Sequence, residues 1–400
     1  MHDTRNKKWI VRLAALLFCA ATAQGSVELG IDVLARNDYS LLAGKRVGLI
    51  TNQTGVNSAG TKTRLLLKRH CNLVALYTPE HGLDGTEKAG RYVKSRRDPL
   101  TGVMAHSLYG PTRKPTPEML RGIDVLVFDL QDIGCRSYTY ISTMGRCMEA
   151  AGENKIPFVV LDRPNPVGGL RIEGPSVEPR WRSFVSEFPI PYVHGLTVGE
   201  LARMVNGRRW ISTPCDLTVV QMHGWDRRMT WEDTGLRWIP SSPNVPRGSS
   251  PLYYIATGLV GELSGPETGV PGPRPFQSIG ARGVDASSLT RYLRSLETPG
   301  VEFRPWREGG IGGSSLTISP NARANLTGLN IYILAELNRL TRPDLFRRTD
   351  GSKLDIFYKV CGGQFIQAQV KAGKSPRNIV ASWQPNEEEF RRTRAKYLLY

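Results

Sequence analysis

Residues 124–130 read Asp124-Val-Leu-Val-Phe-Asp-Leu130, a continuous apolar run that closes on a carboxylate and a leucine. Three similar runs accompany it along the chain: Arg46-Val-Gly-Leu-Ile-Thr-Asn52, Asn72-Leu-Val-Ala-Leu-Tyr-Thr78 and Ile156-Pro-Phe-Val-Val-Leu-Asp162. Continuous apolar runs are typical of strands that are buried on both faces of a parallel sheet. Helical patterns at residues 61–70 and 139–154 separate the runs. This order predicts an α/β protein with a Rossmann-like doubly wound parallel sheet.

The second half of the chain has a different pattern. Residues 224–247 are irregular and rich in Trp, Pro and Asn, and they follow a helix that opens on the capping box Thr197-Val-Gly-Glu200. Later segments predict helices at 287–296, 326–340, 353–360 and 385–398, a strand at 315–319, and a flexible loop at the glycine run 309–313. We therefore expect a Rossmann-like catalytic domain over residues 24–225 and a smaller C-terminal α+β domain over residues 226–400.

The N-terminus has the pattern of a secretory signal peptide. Four basic residues within positions 5–12 precede an apolar stretch over residues 13–21, and Ala21-Thr-Ala23 is a small-x-small cleavage site. The apolar stretch is shorter than the roughly 20 residues that a transmembrane helix needs. We expect cleavage after Ala23, export to the periplasm or the medium, and no stable membrane insertion afterwards. An uncleaved N-terminal anchor is the alternative.

The chain of 400 residues is strongly basic, with a formal net charge of +17. Loss of residues 1–23 removes four basic residues and one aspartate, which lowers this charge to about +14. A basic protein invites anionic partners. For an exported protein the expected partner is an acidic wall polymer and not nucleic acid. The basic residues are scattered along the sequence, which predicts a diffuse basic surface.

Cysteine and histidine patterns argue against a metal site. The exported chain keeps five widely spaced cysteines without a C-x-x-C pair, and its histidines show no H-x-x-x-H spacing. One or two disulfides are possible after export, with no pairing that the sequence defines. The first strand is followed by no G-x-G-x-x-G and no P-loop. We therefore expect neither a metal nor a cofactor.

Polar residues follow all four predicted strands. Since ligands bind beyond the carboxyl ends of the strands in such sheets, this edge is the expected site of a polar ligand such as a sugar. The candidate substrate-binding residues are Asn52, His81, Asp129, Gln131, Arg136, Tyr138, Asp162, Arg163 and Asn165. Each of these polar side chains has a structural alternative: the aspartates could cap turns, His81 could be a structural imidazole, and Tyr138 could pack in a helix.

Glu80 is the strongest candidate for chemistry. It follows an apolar strand and lies between Pro79 and the His81-Gly82 pair. Partial burial there would suit it to general acid catalysis. Its structural alternative is a carboxylate that tethers a loop or a helix N-terminus.

The residues resemble a known family, the bacterial exo-β-N-acetylmuramidases. The matching motifs are Gly48-Leu-Ile-Thr-Asn-Gln-Thr-Gly55, Pro79-Glu-His-Gly82, Ser107-Leu-Tyr-Gly110, Asp124 to Asp132, Tyr138-Thr-Tyr-Ile-Ser-Thr143, Leu161-Asp-Arg-Pro-Asn-Pro166, Glu173-Gly-Pro175, Pro240 to Pro246, and Lys396-Tyr-Leu-Leu-Tyr400. The resemblance implies a cleft site and the release of N-acetylmuramic acid from the non-reducing ends of peptidoglycan fragments. It also implies that Glu80 is the catalytic glutamate. A non-catalytic wall-binding protein is the alternative function.

One loop departs from the family pattern, at residues 261–277. Glu262 or Glu267 could replace the glutamate that many members carry there. Glycoside hydrolysis normally needs two carboxylates. We expect Glu80 as the general acid and Glu262 as its partner, with Asp129 and Asp162 as alternatives. Arg163, Arg136 or Arg274 could bind the lactyl carboxylate of N-acetylmuramic acid.

Overall fold

The computed structural model describes residues 26–88 and 90–400, so the predicted signal peptide lies outside the described residues. Two sheets are present. The first contains β1 (Arg46–Thr51), β2 (Asn72–Thr78), β3 (Arg96–Arg97), β4 (Met104–Ser107), β5 (Val125–Asp129), β6 (Phe158–Leu161) and β7 (Leu217–Val220), in the order β3-β4-β2-β1-β5-β6-β7. All neighbouring strands are parallel except β3, which pairs antiparallel with β4. This sheet confirms the predicted α/β class.

Helices cover both faces of this sheet. They are α1 (Gly30–Arg36), α2 (Thr63–His70), α3 (Tyr140–Glu153) and α4 (Val198–Gly207). On β5, Val125 and Val127 pack with residues of α1 and α2, while Leu126 and Phe128 pack with residues of α3 and α4. Because successive side chains of a strand point to opposite faces, one continuous apolar run supplies two cores. The sheet is therefore doubly wound.

The C-terminal part is built around a smaller antiparallel sheet. Its strands are β8 (Pro266–Glu267), β9 (Ser278–Arg282), β10 (Val301–Glu308) and β11 (Ile311–Ile318), in the order β10-β11-β9-β8. Eight helices accompany it within the described chain: α5 (Ser250–Gly261), α6 (Ala286–Ser295), α7 (Leu326–Leu340), α8 (Leu345–Arg348), α9 (Gly351–Cys361), α10 (Phe365–Lys371), α11 (Pro376–Ala381) and α12 (Gln384–Arg394). The mixture confirms the predicted α+β character.

Local sequence signals predict the positions of several helices correctly. The Thr197 hydroxyl accepts from the Glu200 amide and the Glu200 carboxylate accepts from the Thr197 amide, as the capping box requires. Helix α7 begins and ends where the apolar period predicts. The boundary between the domains at residues 225 and 226 stays a prediction.

The sequence predicts a flexible loop at the glycine run 309–313, and this prediction is wrong for part of the run. Gly309 and Gly310 form the turn between β10 and β11, and Gly312 and Gly313 belong to β11. A Cβ on Gly313 would lie 2.3 Å from the carbonyl oxygen of Ile279. Glycine is therefore needed for the close pairing of β11 with β9.

Two further features concern cysteines and membranes. Cys71, Cys135, Cys147, Cys215 and Cys361 are free thiols, so the structure contains none of the disulfides that the sequence left possible among these five. Within residues 26–88 and 90–400, none of the helices combines the length and the apolar character needed to cross a bilayer.

Candidate active site

A cleft of about 650 Å³ lies between the carboxyl edge of the parallel sheet and the C-terminal part of the chain. This volume is within the usual range for small-molecule sites. The N-terminal part of the chain contributes Glu80, His81, Tyr109 and Ser137 to Tyr140 to its lining. The C-terminal part contributes Tyr254, Gly258, Glu262, Glu267, Phe276, Lys353, Ile356 and Val360. The cleft therefore brings together the two predicted catalytic glutamates, with His81 and Tyr138 beside them.

Glu80 is held by a tight turn at the end of β2. His81 and Gly82 both have positive φ angles, of 70° and 77°, and the Gly82 amide donates to the Pro79 carbonyl at 3.1 Å. A left-handed conformation is costly for a residue with a side chain and tends to occur at functional sites. The His81 ring also stabilises this loop, since its Nδ1 lies 2.7 Å from the carbonyl oxygen of Glu87. His81 thus shapes the loop that carries Glu80.

Donors fill both oxygens of the half-buried Glu80 carboxylate. The Gly90 amide donates to Oε1 at 2.7 Å, and the Thr139 hydroxyl donates to Oε2 at 2.8 Å. Thr139 is the N-cap of α3, so the carboxylate also lies at the positive end of a 14-residue helix. These contacts fix the position of the carboxylate in the cleft.

Glu262 has the opposite environment. It is the C-cap of α5 and lines the cleft, where desolvation raises its pKa to about 7 although the nearby Lys353 ammonium partly opposes this. None of the described residues contributes a hydrogen bond to this pKa shift. Two carboxyl groups in contrasting environments thus border one cleft, as an acid and a base commonly do.

Aromatic side chains form the floor of the cleft. The Tyr138 and Tyr140 rings meet edge to face at 4.8 Å, and their hydroxyls donate to the Ser241 side chain at 2.9 Å and to its carbonyl at 2.6 Å. Tyr254 is held by Ser137, with 2.9 Å between their hydroxyl oxygens. Burial and the nearby Glu80 raise the pKa of Tyr109 to about 12, so this phenol stays neutral. The floor is rigid and mostly apolar, which suits the face of a sugar ring.

Most other predicted ligands do not line this cleft. Asn52, Asp129, Gln131, Asp162, Arg163 and Asn165 form a buried strand-end network, and each side chain is at most 3% exposed. The Arg163 Nε donates to Asp129 Oδ1 at 2.6 Å, and its Nη2 donates to the Val56 carbonyl at 2.7 Å. Asn52 donates to the Tyr140 hydroxyl at 2.9 Å. These contacts join the strand ends to each other.

Asp162 and Asn165 have the same structural character. Asp162 accepts four hydrogen bonds, from the amides of Arg163 and Gly199 and from the hydroxyls of Thr197 and Tyr400. Its pKa is nevertheless raised to about 6, since it is fully buried. Asn165 donates to the Leu196 carbonyl at 2.9 Å and accepts from the Val167 amide at 3.1 Å. Both side chains fix turns, as their structural alternatives predicted.

Gln131 and Arg163 border a small separate cavity of about 90 Å³. The Gln131 amide nitrogen donates to the carbonyls of Asp132 and Pro164, both at 2.8 Å. Its oxygen has no partner among the described residues. The volume has room for a few water molecules, which would satisfy such a buried oxygen.

The proposed lactyl-binding role of Arg136 does not fit the structure. Its side chain is fully buried and donates to the Ser186 hydroxyl and to the carbonyls of Pro175, Ile190 and Val360. Burial lowers its pKa to about 10. A fully buried guanidinium that donates four of its five N–H groups to the protein is not accessible to a substrate carboxylate. Arg274 is exposed and lies on the loop between the cleft residues Val270 and Phe276.

Several cleft residues escaped the sequence analysis. Thr139, Ser137 and Tyr254 act through hydrogen bonds that only the folded chain creates, and α5 was not predicted at all. Lys353 and Ile356 lie on a predicted helix without any local sign of function. The motifs at residues 138–143 and 240–246 were the sequence signals for this region. The first contributes Tyr138 to Tyr140 to the cleft, and the second contributes Ser242, Asn244 and Val245.

Comparisons with known proteins place the chain in a family. Residues 47–249 match the family model described as exo-β-N-acetylmuramidase NamZ, N-terminal, and residues 252–400 match the corresponding C-terminal model. The chain belongs to the NamZ family. The resemblance noted in the sequence is thereby confirmed.

Individual relatives agree with this placement. The chain is 42% identical over 385 residues to the peptidoglycan β-N-acetylmuramidase NamZ of Bacillus subtilis (strain 168), with 94% of this chain and 91% of the relative covered. A DUF1343 family protein of Bacteroides fragilis NCTC 9343 superposes with a TM-score of 0.88 at 45% identity, covering 94% of this chain and 99% of that one. A second protein of this kind has a TM-score of 0.72 at 28% identity and the same coverage. The NamZ architecture thus extends over nearly the whole described chain.

Proposed function

We propose that the protein is an exo-acting glycosidase that releases N-acetylmuramic acid from the non-reducing ends of peptidoglycan fragments. The observation that carries this proposal is the cleft lined by both Glu80 and Glu262, in a chain that belongs to the NamZ family. Two carboxyl groups and water are sufficient for glycoside hydrolysis, so the reaction needs no cofactor. Among the described residues, no group of three or more His, Cys, Asp or Glu side chains is arranged to hold a metal ion.

The two glutamates have different parts in the proposed mechanism. The sequence predicts Glu80 as the general acid; the raised pKa of Glu262 supports the reverse assignment, which we propose here. With a pKa of about 7, Glu262 keeps a proton near neutral pH and can donate it to the glycosidic oxygen as the bond breaks. Glu80, held by donors on both oxygens, then acts as the carboxylate.

The carboxylate can act in either of two ways. As a nucleophile Glu80 would attack the anomeric carbon and form a glycosyl ester that water later cleaves, which retains the configuration. As a base it would take a proton from an attacking water, which inverts the configuration. NMR of the first product released from a β-linked substrate distinguishes the two, since the α-anomer indicates inversion and the β-anomer retention.

The direct test compares two chromogenic substrates. The purified protein should release the chromophore from a β-N-acetylmuramide and act much more slowly on the matching β-N-acetylglucosaminide. A protein that only binds wall fragments would leave both intact. Failure to cleave the muramide, with a normal circular dichroism spectrum and a cooperative thermal transition, would overturn the proposal.

We also propose that the protein acts outside the cytoplasm after cleavage following Ala23. The basic, apolar and small-residue segments of the first 23 positions support this location. N-terminal sequencing of the protein recovered from the envelope or the medium tests it. A mature chain that starts at Gln24 is the expected result, and a retained Met1 would contradict the proposed cleavage.

A further inference from the structure

One face of α9 forms part of the cleft wall. Lys353, Ile356 and Val360 all line the cleft, and their spacing of three and four residues puts them on the same side of the helix. Val360 is buried, whereas Ile356 is 40% exposed and is one of few large apolar side chains in the described chain with such exposure. The wall thus offers an ammonium group next to an uncovered apolar surface.

Lys353 is the only lysine or arginine among the described residues that line the cleft, against the three glutamates Glu80, Glu262 and Glu267. It forms no ion pair with a described residue. Lys359, on the same helix, pairs with Asp355. Among the side chains that line the cleft, Lys353 is therefore the cation available to an anionic substrate group.

Within its own helix, the Lys353 side chain gains only the Coulomb attraction of the exposed N-cap carboxylate of Asp350. Lys353 is the third residue of α9, where its amide donates to the N-cap Asp350 at 2.9 Å. A positive side chain in the first turn opposes the helix dipole. An anionic partner outside the helix would offset this small unfavourable interaction.

We propose that Lys353 and Ile356 bind the lactyl group of N-acetylmuramic acid, the ammonium holding its carboxylate and the isoleucine packing on its methyl. This inference rests on the proposed function and assigns its specificity. The lactyl ether is the group by which N-acetylmuramic acid differs from N-acetylglucosamine, and it combines one methyl with one carboxylate. Lys353 and Ile356 present the complementary pair in adjacent turns. Since Arg136 and Arg163 are committed to structural contacts, they do not compete for this role.

The test measures kcat/KM for the muramide and the glucosaminide with a Lys353→Met variant. Loss of a charged hydrogen bond predicts a decrease of about 10- to 100-fold for the muramide, mainly through KM. At pH 6, where Glu262 keeps its proton in the parent and also in the variant without the neighbouring ammonium, activity on the glucosaminide should change less than about twofold. Lys353→Arg should recover part of the muramide activity, and Ile356→Ala should lower it by about threefold to tenfold without affecting the glucosaminide.

Lys359→Met is the matched control, since it removes a lysine from the same helix but outside the cleft, and it should leave both activities unchanged. If Lys353→Met keeps the muramide-to-glucosaminide ratio of the parent, the inference is wrong although the proposed function stands. If the parent cleaves neither substrate, the proposed function fails. Calorimetry with free N-acetylmuramic acid and N-acetylglucosamine then decides: weaker binding of the former alone in Lys353→Met supports the lactyl site, and equal effects overturn it.

Discussion

The strand-end network and the cleft lie at the same edge of the parallel sheet, yet they use polar side chains in opposite ways. In the network, Arg163 and Asp129 are almost fully buried and donate or accept within the protein. In the cleft, the side chains of Glu262 and Lys353 have no hydrogen bond or ion pair with the residues that the structure describes. A polar residue that follows a strand is therefore not a ligand for that reason alone. Loops that fold over the edge of the sheet can bury its side chain and use its hydrogen bonds within the protein.

The difference also separates two energetic roles. A buried ion pair is costly to break, since the remaining partner keeps an uncompensated charge. A carboxyl group facing a cleft contributes little to stability, but its environment sets when it carries a proton. Substitutions in the network should thus change the free energy of unfolding, and substitutions in the cleft should change rates.

The largest expected effect is on catalysis by Glu80→Gln. The variant keeps the size of the side chain and one acceptor oxygen but loses the carboxylate, so kcat on the muramide should fall about a thousandfold or more. The melting temperature should change by less than about 2 °C. Initial rates and thermal denaturation measure both. Glu87→Gln, in the same loop and exposed, is the control and should retain parental kcat.

The second prediction concerns the network. Arg163→Met leaves Asp129 buried without its ion pair, which should lower the free energy of unfolding by about 3–5 kcal/mol. Urea denaturation measures this loss. The protein that remains folded should keep its kcat within about twofold, and the double variant with Asp129→Asn should recover part of the stability. A catalytic loss without a stability loss would show that Arg163 belongs functionally to the cleft.

The third prediction uses the pKa of Glu262. Because the proposed acid must be protonated, kcat/KM should decline about tenfold per pH unit above roughly pH 7, where the carboxyl group ionises. Glu262→Gln should lower kcat/KM about a hundredfold and abolish this decline between pH 6 and 9. Rate profiles of the parent and the variant measure it. Glu267→Gln is the matched comparison; loss of the decline there, and not in Glu262→Gln, would transfer the acid role to Glu267.

The smallest expected effect is at the end of the chain. The Tyr400 hydroxyl donates to Asp162 and accepts from the Met222 amide, each at 2.8 Å. Tyr400→Phe should therefore cost about 1 kcal/mol of unfolding free energy, because Asp162 keeps its three other donors. Urea denaturation detects the loss, while kcat should not change. A kcat that falls with unchanged stability would contradict the structural role given to this contact.

The sequence predicted the fold better than the site. Continuous apolar runs locate β1, β2, β5 and β6 to within two residues at each end, since a strand buried on both faces leaves no room for polar side chains. Helix α5 escaped prediction because Ser250-Pro-Leu-Tyr-Tyr-Ile is apolar on all sides and has no helical period. This helix carries Tyr254 and has Glu262 as its C-cap, so the sequence predicted little of what the C-terminal part contributes to the cleft.

Within the site, the sequence was sufficient to predict Glu80 as a catalytic candidate and Glu262 as one of several possible partners. It did not separate Arg136 from a ligand, because a buried arginine and a substrate-binding arginine look alike in a sequence. Four acceptors from distant segments, Pro175, Ser186, Ile190 and Val360, decide its role. Such long-range partners have no trace in local spacing.

The sequence by itself determined the parallel sheet, the family and the catalytic candidate Glu80, since buried strands and long ordered motifs are local properties. Only the tertiary structure decided which polar groups stay available. It closed Arg163, Asp129 and Asn165 into a network and left Glu80, Glu262 and Lys353 facing one cleft. The physical reason is that desolvation and hydrogen-bond satisfaction depend on residues far apart in the chain.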